Sequence, residues 1–92
     1  MPEKATLTLT LHRQWFADIA AGTKRTEYRE RKPYWKIRLE GRHYDTIRLR
    51  IGYAKNAPEM VVECLGIHCR DRDYAIRLGR IISIKRWRSE RG

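Results

Sequence analysis

Ninety-two residues suffice for one domain with one hydrophobic core and leave no length for a second folded unit. With 41% apolar residues in so short a chain, a binding site has to be a shallow cleft and not a deep chamber. Lysine and arginine number 21 against 11 acids, a net charge of +10, which is far from the balance of an ordinary metabolic enzyme and points to an anionic partner.

No stretch approaches the roughly 18 consecutive apolar residues of a membrane span, and Met1-Pro2-Glu3-Lys4 has no signal-peptide core. The expectation is a soluble, cytoplasmic protein with no membrane partner, in which Cys64 and Cys69 are free thiols. Three Trp, five Tyr and one Phe, spread along the chain, argue against disorder.

Taken in order, Ala5 to Leu11 alternates, with Leu7, Leu9 and Leu11 on one face and Thr6, Thr8 and Thr10 on the other: a half-buried first strand. Trp15, Phe16, Ile19 and Ala20 repeat at helical spacing and place Trp15 in the core, and Gly22 ends the helix. Thr26 to Arg29 has the composition of a brief strand. Pro33 opens a short helix through Tyr34, Trp35 and Leu39 that stops at Gly41. From Thr46 to Ile51 period two returns, with Ile47, Leu49 and Ile51 inward and Arg48 and Arg50 outward.

Met60 to Ile67 is apolar on both parities apart from Glu63 and Gly66, the pattern of a central strand covered on two sides. Tyr74 to Ile84 carries Ile76, Leu78, Ile82 and Ile84 on one parity, but Gly79-Arg80 interrupts it, so a bulge or bend is expected there. Residues 86–92 are expected to fray, leaving a core over about 5–85 of a single domain, 1–92. The inventory of about five or six strands with one or two short helices indicates an α+β domain, antiparallel or closed into a small barrel. The charge is not confined to a tail, since residues 1–46 hold ten bases and six acids and residues 47–92 hold eleven and five.

The most informative segment is Gly22-Thr23-Lys24-Arg25-Thr26-Glu27-Tyr28-Arg29. Gly22 turns the chain and Lys24 sits at the mouth of the turn. In an extended run Glu27 and Arg29 share a side while Tyr28 takes the other. A polar pocket follows, in which Lys24 and Arg29 hold a phosphate or carbonyl and Glu27 accepts from a base amino group. Spacing alone favours the plainer account, an exposed strand with Glu27 in a surface ion pair.

The order of first strand, helix and Gly-x-Lys-x-x-Glu-x-Arg resembles the ASCH domain, named for homology to the activating signal cointegrator and similar in fold to the PUA RNA-binding barrel. Gly22, Lys24, Glu27 and Arg29 match its motif, and the likeness runs from Leu7 to about Ile84, including the Gly52-Tyr53-Ala54-Lys55 turn after a strand. The resemblance implies a small PUA-like β-barrel with a cleft lined by these residues and a role with RNA or a modified, nucleotide-like ligand.

Two catalytic branches of the family fit less well. In an amidohydrolase branch that removes acyl groups from modified cytidine, the lysine matches Lys24, but a threonine stands where this chain has Glu27, and a further glutamate comes from an insertion where only Cys69 to Asp73 is present. A ribonuclease branch using lysine and tyrosine would draw on Lys24 or Lys55 with Tyr53 or Tyr28. If the chain is an enzyme, Lys24 and Glu27 are the catalytic candidates. As a binding module, Lys24 is a protonated anion clamp.

Around this motif, Arg48, Arg50, Lys55, Arg77, Lys85 and Arg86 alternate with Tyr34, Trp35, Tyr53, Tyr74 and Trp87, suited to phosphates along a groove and bases stacked on rings. Tyr53, Lys55, Arg48 and Arg50 therefore join Lys24, Glu27 and Arg29 as ligand contacts. Cys64, His68 and Cys69 do not form a zinc pattern, and no metal or other cofactor is expected. Glu63 interrupts an apolar strand, either as a buried acid at the cleft or as an outward carboxylate. No P-loop, dinucleotide fingerprint or nucleophile elbow occurs. A third reading is an adaptor whose basic face docks an acidic protein.

Overall fold

The alternating leucines of the N-terminal segment and the alternating aliphatics further on do form strands, and their apolar parities meet on one face. A computed structural model describes residues 5–88. Its elements are β1 (Thr6–Thr10), α1 (Arg13–Ala21), β2 (Thr26–Glu30), α2 (Pro33–Leu39), β3 (Thr46–Arg50), β4 (Glu59–Cys69) and β5 (Asp73–Lys85). The five strands make one sheet in the order β1-β3-β4-β5-β2, curled into a half-barrel with two helices.

The register explains the core. Leu7 and Leu9 of β1 lie opposite Ile47 and Leu49 of β3, which lie opposite Val62 and Met60 of β4. Directly paired residues share a face, so these six stack into one apolar layer, each at most 5% exposed. Tyr74, Ile76 and Leu78 of β5 extend it, and Phe16, Ile19 and Leu39 of the helices close it from the concave side. Gly22 ends α1 at φ 83°, a left-handed conformation that costs glycine little, and its N–H returns to Asp18 and Ile19.

Several expectations are corrected. The sheet is mixed, since β1 and β3 run parallel. Parallel neighbours need a long crossover, and α1, β2 and α2 all lie within this one. β4 is central but covered on one side only, with Leu65 59% exposed, because both helices give their buried side chains to the concave face. The β5 parity breaks after Leu78: Ile82 and Ile84 are 50% and 39% exposed. Register shifts between Val61 and Gly66 of β4, opposite the Gly79-Arg80 region, cause this. The bulge is where Gly79 suggested it, and Leu65 of β4 lies across that glycine, within 2.9 Å of where a Cβ would be.

The C-terminal segment expected to fray is described as far as residue 88. Trp87 packs against Phe16 in a tilted pair with ring centroids 5.0 Å apart, and Arg86 donates from Nε to the Ala57 carbonyl at 2.9 Å. The remainder of that expectation, residues 89–92, lies outside the described residues. No described helix is long and apolar enough to cross a membrane.

Tyr74 is only 1% exposed and is a core residue, not the stacking surface its sequence neighbourhood suggested. Its hydroxyl donates to Glu40 Oε2 at 2.6 Å, and Arg31 Nη2 reaches the same oxygen at 3.2 Å, which latches the end of α2 to β5. The Tyr74 hydroxyl, aided by Arg31, holds the Glu40 carboxyl below its ordinary value. A depressed carboxyl adds stability above its unfolded value and loses it as the pH falls through the folded one. Tyr74→Phe is therefore expected to lower the urea midpoint near pH 7 and to narrow the difference between midpoints at about pH 7 and about pH 3, read by tryptophan fluorescence.

Candidate functional site

β2 is an edge strand, and its pairing decides where its charges go. Glu27 stands opposite Ile76 and Arg29 opposite Tyr74, both buried residues, so these two side chains are directed to the inner face. Tyr28, one residue out of phase, is 49% exposed. Glu27 is accordingly 7% exposed, a carboxylate at the rim of an apolar core. Such a group persists only if paired. Arg29 Nη2 donates to its Oε2 at 2.7 Å, and Lys24 Nζ lies 3.3 Å from its Oε1. Lys24 Nζ also donates to the Thr26 carbonyl at 2.7 Å. Two cations around one carboxylate leave a net single positive charge.

Arg29 Nη2 makes a second bond, to the Thr10 carbonyl at 3.0 Å. Thr10 ends β1, and β1 and β2 are the two opposite edges of the sheet. The curl has thus brought the edges so near that one guanidinium spans them. A cleft of about 560 Å³ opens along this seam, with Glu27 and Arg29 among its lining groups and Trp15, Tyr28, Trp35 and Tyr53 on its walls. A second hollow of about 500 Å³ shares Thr10, Arg29, Trp35 and Tyr53 and adds Thr8, Tyr34 and Arg50. Through these shared residues the two adjoin as one trough, with Arg29 lining both parts.

The aromatic walls are matched to cations. Arg29 Cζ is 4.9 Å from the Trp35 ring centre, and Lys24 Nζ is 5.3 Å from that of Trp15 and 5.6 Å from that of Tyr28. These contacts stiffen the rings and keep positive charge at the trough. Arg29 Nε is buried and finds no acceptor among the described residues.

Of the residues singled out in the sequence, Lys24, Glu27 and Arg29 do converge. Lys24, however, lines a separate groove and reaches Glu27 from outside the cleft. Tyr53, 87% exposed, stands at the cleft wall, its hydroxyl 3.5 Å from Thr10 Oγ1. Arg50 is committed to its own loop: Nη2 donates to the Ala54 carbonyl at 2.9 Å and the Lys55 carbonyl at 3.4 Å. Its Nε lies 3.1 Å from Glu59 Oε1, near enough for attraction but not aligned as a hydrogen bond. Arg48 approaches the same Glu59 at 3.7 Å, so one carboxylate offsets part of the charge of both. Lys55 lines neither hollow of the trough. Glu63 is paired with Arg80 at 3.5 Å, away from the cleft.

Trp15 is the main residue the sequence misplaced. It is 44% exposed and a wall of the cleft, while Phe16, fully buried, takes the core position. Adjacent helical residues lie about 100° apart, so a narrow buried stripe admits one of the two. The other signal was the lysine-bearing turn that follows the helix, which an exposed tryptophan on α1 can face. Among the described residues no cluster of His, Cys, Asp and Glu is arranged to hold a metal ion. The chain matches no protein-family model, no curated protein and no solved structure.

Because Arg29 neutralises an inward carboxylate and also ties β1 to β2, its removal strands Glu27 and opens the seam. Arg29→Ala is expected to cost about 2–4 kcal/mol in urea unfolding, below the full value for a completely buried pair because both side chains keep some solvent.

Proposed function

We propose that this trough binds RNA or a nucleotide-like ligand, with one base held in the seam cleft and the phosphate chain running past Arg29. The observation that carries the reading is the composition of the cleft: a nearly buried carboxylate held by two cations, among four aromatic walls. Aromatic faces accept any base, the Arg29 guanidinium offers donors to phosphate, and Glu27 accepts from an exocyclic amino group, as carboxylates do from cytosine. A cationic ligand is disfavoured, since Lys24 and Arg29 already occupy positions over the rings. The net charge of +10 supplies long-range attraction.

The curled five-stranded sheet and the convergence of Lys24, Glu27 and Arg29 lend support to the resemblance to the ASCH domain and its PUA-like barrel, and the assignment to that family belongs to this proposal. A hydrolase at the Lys24 end of this site is a second reading, favoured by one observation: the Tyr28 ring centre lies 5.6 Å from Lys24 Nζ, a neighbourhood a ribonuclease could use. Against it, Lys24 Nζ is already engaged by the Thr26 carbonyl and the Glu27 carboxylate.

With a labelled single-stranded RNA of mixed sequence, fluorescence anisotropy is expected to show binding that weakens with salt at a log-log slope near −3.5, as for about five phosphate contacts on a single strand. The RNA should remain full length. Glu27→Gln is expected to reduce discrimination between cytidine-rich and uridine-rich strands by about tenfold while changing mean affinity less. Absence of binding at low salt, or binding indifferent to salt, overturns the reading; shortened RNA that is lost with Lys24→Ala replaces it with the hydrolase.

A further inference from the structure

β2 covers only part of its neighbour. Its ladder with β5 runs from Asp73 to Arg77, and the last backbone bond on that side is Leu78 N–H to the Arg25 carbonyl at 2.9 Å. Beyond it, β5 continues to Lys85 paired with β4 alone, so among the described residues its other edge carries no strand. A groove of about 620 Å³ lies where β2 stops. Its apolar lining includes Ile19, Leu65, Leu78 and Ile81, and its cations are Lys24, Arg25 and Arg80.

This groove and the seam cleft share no lining residue. The charged groups lining the groove are cations alone, whereas the cleft sets Glu27 and Glu30 against Arg29 and Lys32, and their apolar chemistry differs as well. The cleft is walled by aromatic rings, whereas no aromatic residue lines the groove, and the apolar side chains exposed beside it are Leu65, Ile82 and Ile84. Branched aliphatics give a base no face to stack on, yet they suit the side chains of an extended polypeptide. The bulge at Gly79-Arg80 and the flanking Arg80 and Lys85 are devices that keep a sheet edge from pairing with its own kind. At +10 per chain, a second copy is repelled. The same charges attract an acidic strand.

We propose that the open edge of β5, from Arg80 to Lys85, docks an extended acidic segment of a partner protein as an added strand. One apolar side chain of that segment is seated in the groove, and its carboxylates meet Arg25 and Arg80. Backbone bonds to β5 supply affinity, and charge supplies selection. This site is independent of the seam cleft and does not rest on the RNA reading.

The test uses the full chain with a capped peptide of eight alternating Glu and Val residues, and the same peptide with Lys in place of Glu. The acidic peptide is expected to bind and to slow amide exchange within Arg80–Lys85 at least tenfold, with little change in β1. The lysine peptide should not bind. Arg25→Glu with Arg80→Glu, both exposed positions, should weaken the acidic peptide at least tenfold while leaving the circular dichroism spectrum unchanged. Protection confined to other strands, equal binding of the lysine peptide, or no binding of either overturns the proposal. Protection of these amides by single-stranded RNA in place of the peptide does so too, and RNA anisotropy at the cleft is scored separately.

Discussion

One guanidinium holds the two ends of this sheet together. Arg29 takes the Glu27 carboxylate and the Thr10 carbonyl on the same nitrogen, and in doing so joins the first and last strands of a five-strand order. Without a sixth strand among the described residues to close the barrel by backbone pairing, a side chain closes it by charge. An arginine suits this, because its planar fork donates in several directions and stays charged when partly desolvated. The arrangement also explains why the site is where it is. A seam joined at one point leaves a gap on either side of the joint, and those gaps are the two hollows of the trough.

Burying Glu27 beside the core looks unfavourable by itself, since a carboxylate taken from water costs several kcal/mol. Its two cations offset that cost, but an apolar residue at this position could have packed against Ile76 with none. A charged cluster retained where an aliphatic would serve is better understood through the cleft than through stability. The contrast with Glu40 is instructive. That carboxylate also receives two donors, yet one of them is the Tyr74 hydroxyl, and the cluster fastens a helix end to the sheet. Similar chemistry is structural in one place and faces an open trough in the other.

The strand faces were legible in the sequence wherever alternation was clean, as in Leu7-Leu9-Leu11 and Ile47-Leu49. So was the convergence of Lys24, Glu27 and Arg29, because three residues in one short turn and strand depend only on local geometry. What escaped were relations across the chain. The contact of Arg29 with Thr10 spans 19 residues and two strands that never pair. The parallel pairing of β1 with β3 leaves no mark in the composition of either. Aromatic residues were read least well: Trp15 and Tyr74 exchanged their expected places, since an amphipathic ring is equally at home at a cleft wall or in a core with a partner for its polar end. The bulges of β5 were foreshadowed by one glycine, but their effect, turning Ile82 and Ile84 outward, depends on how β4 answers them.

The pairing of β1 with β3 also orders events in time. Thr6 finds its partner Thr46 forty residues later, and Thr26 of β2 waits for Arg77 of β5. Both walls of the seam are therefore made in the first third of the chain and must remain unpaired until the β3-β4-β5 meander exists to receive them. Loop closure makes such distant pairings slow. During synthesis the ribosome would release the motif segment early and the surface it docks on last, so the cleft is among the final features to form, and the nascent chain spends that interval with its leucine strand exposed.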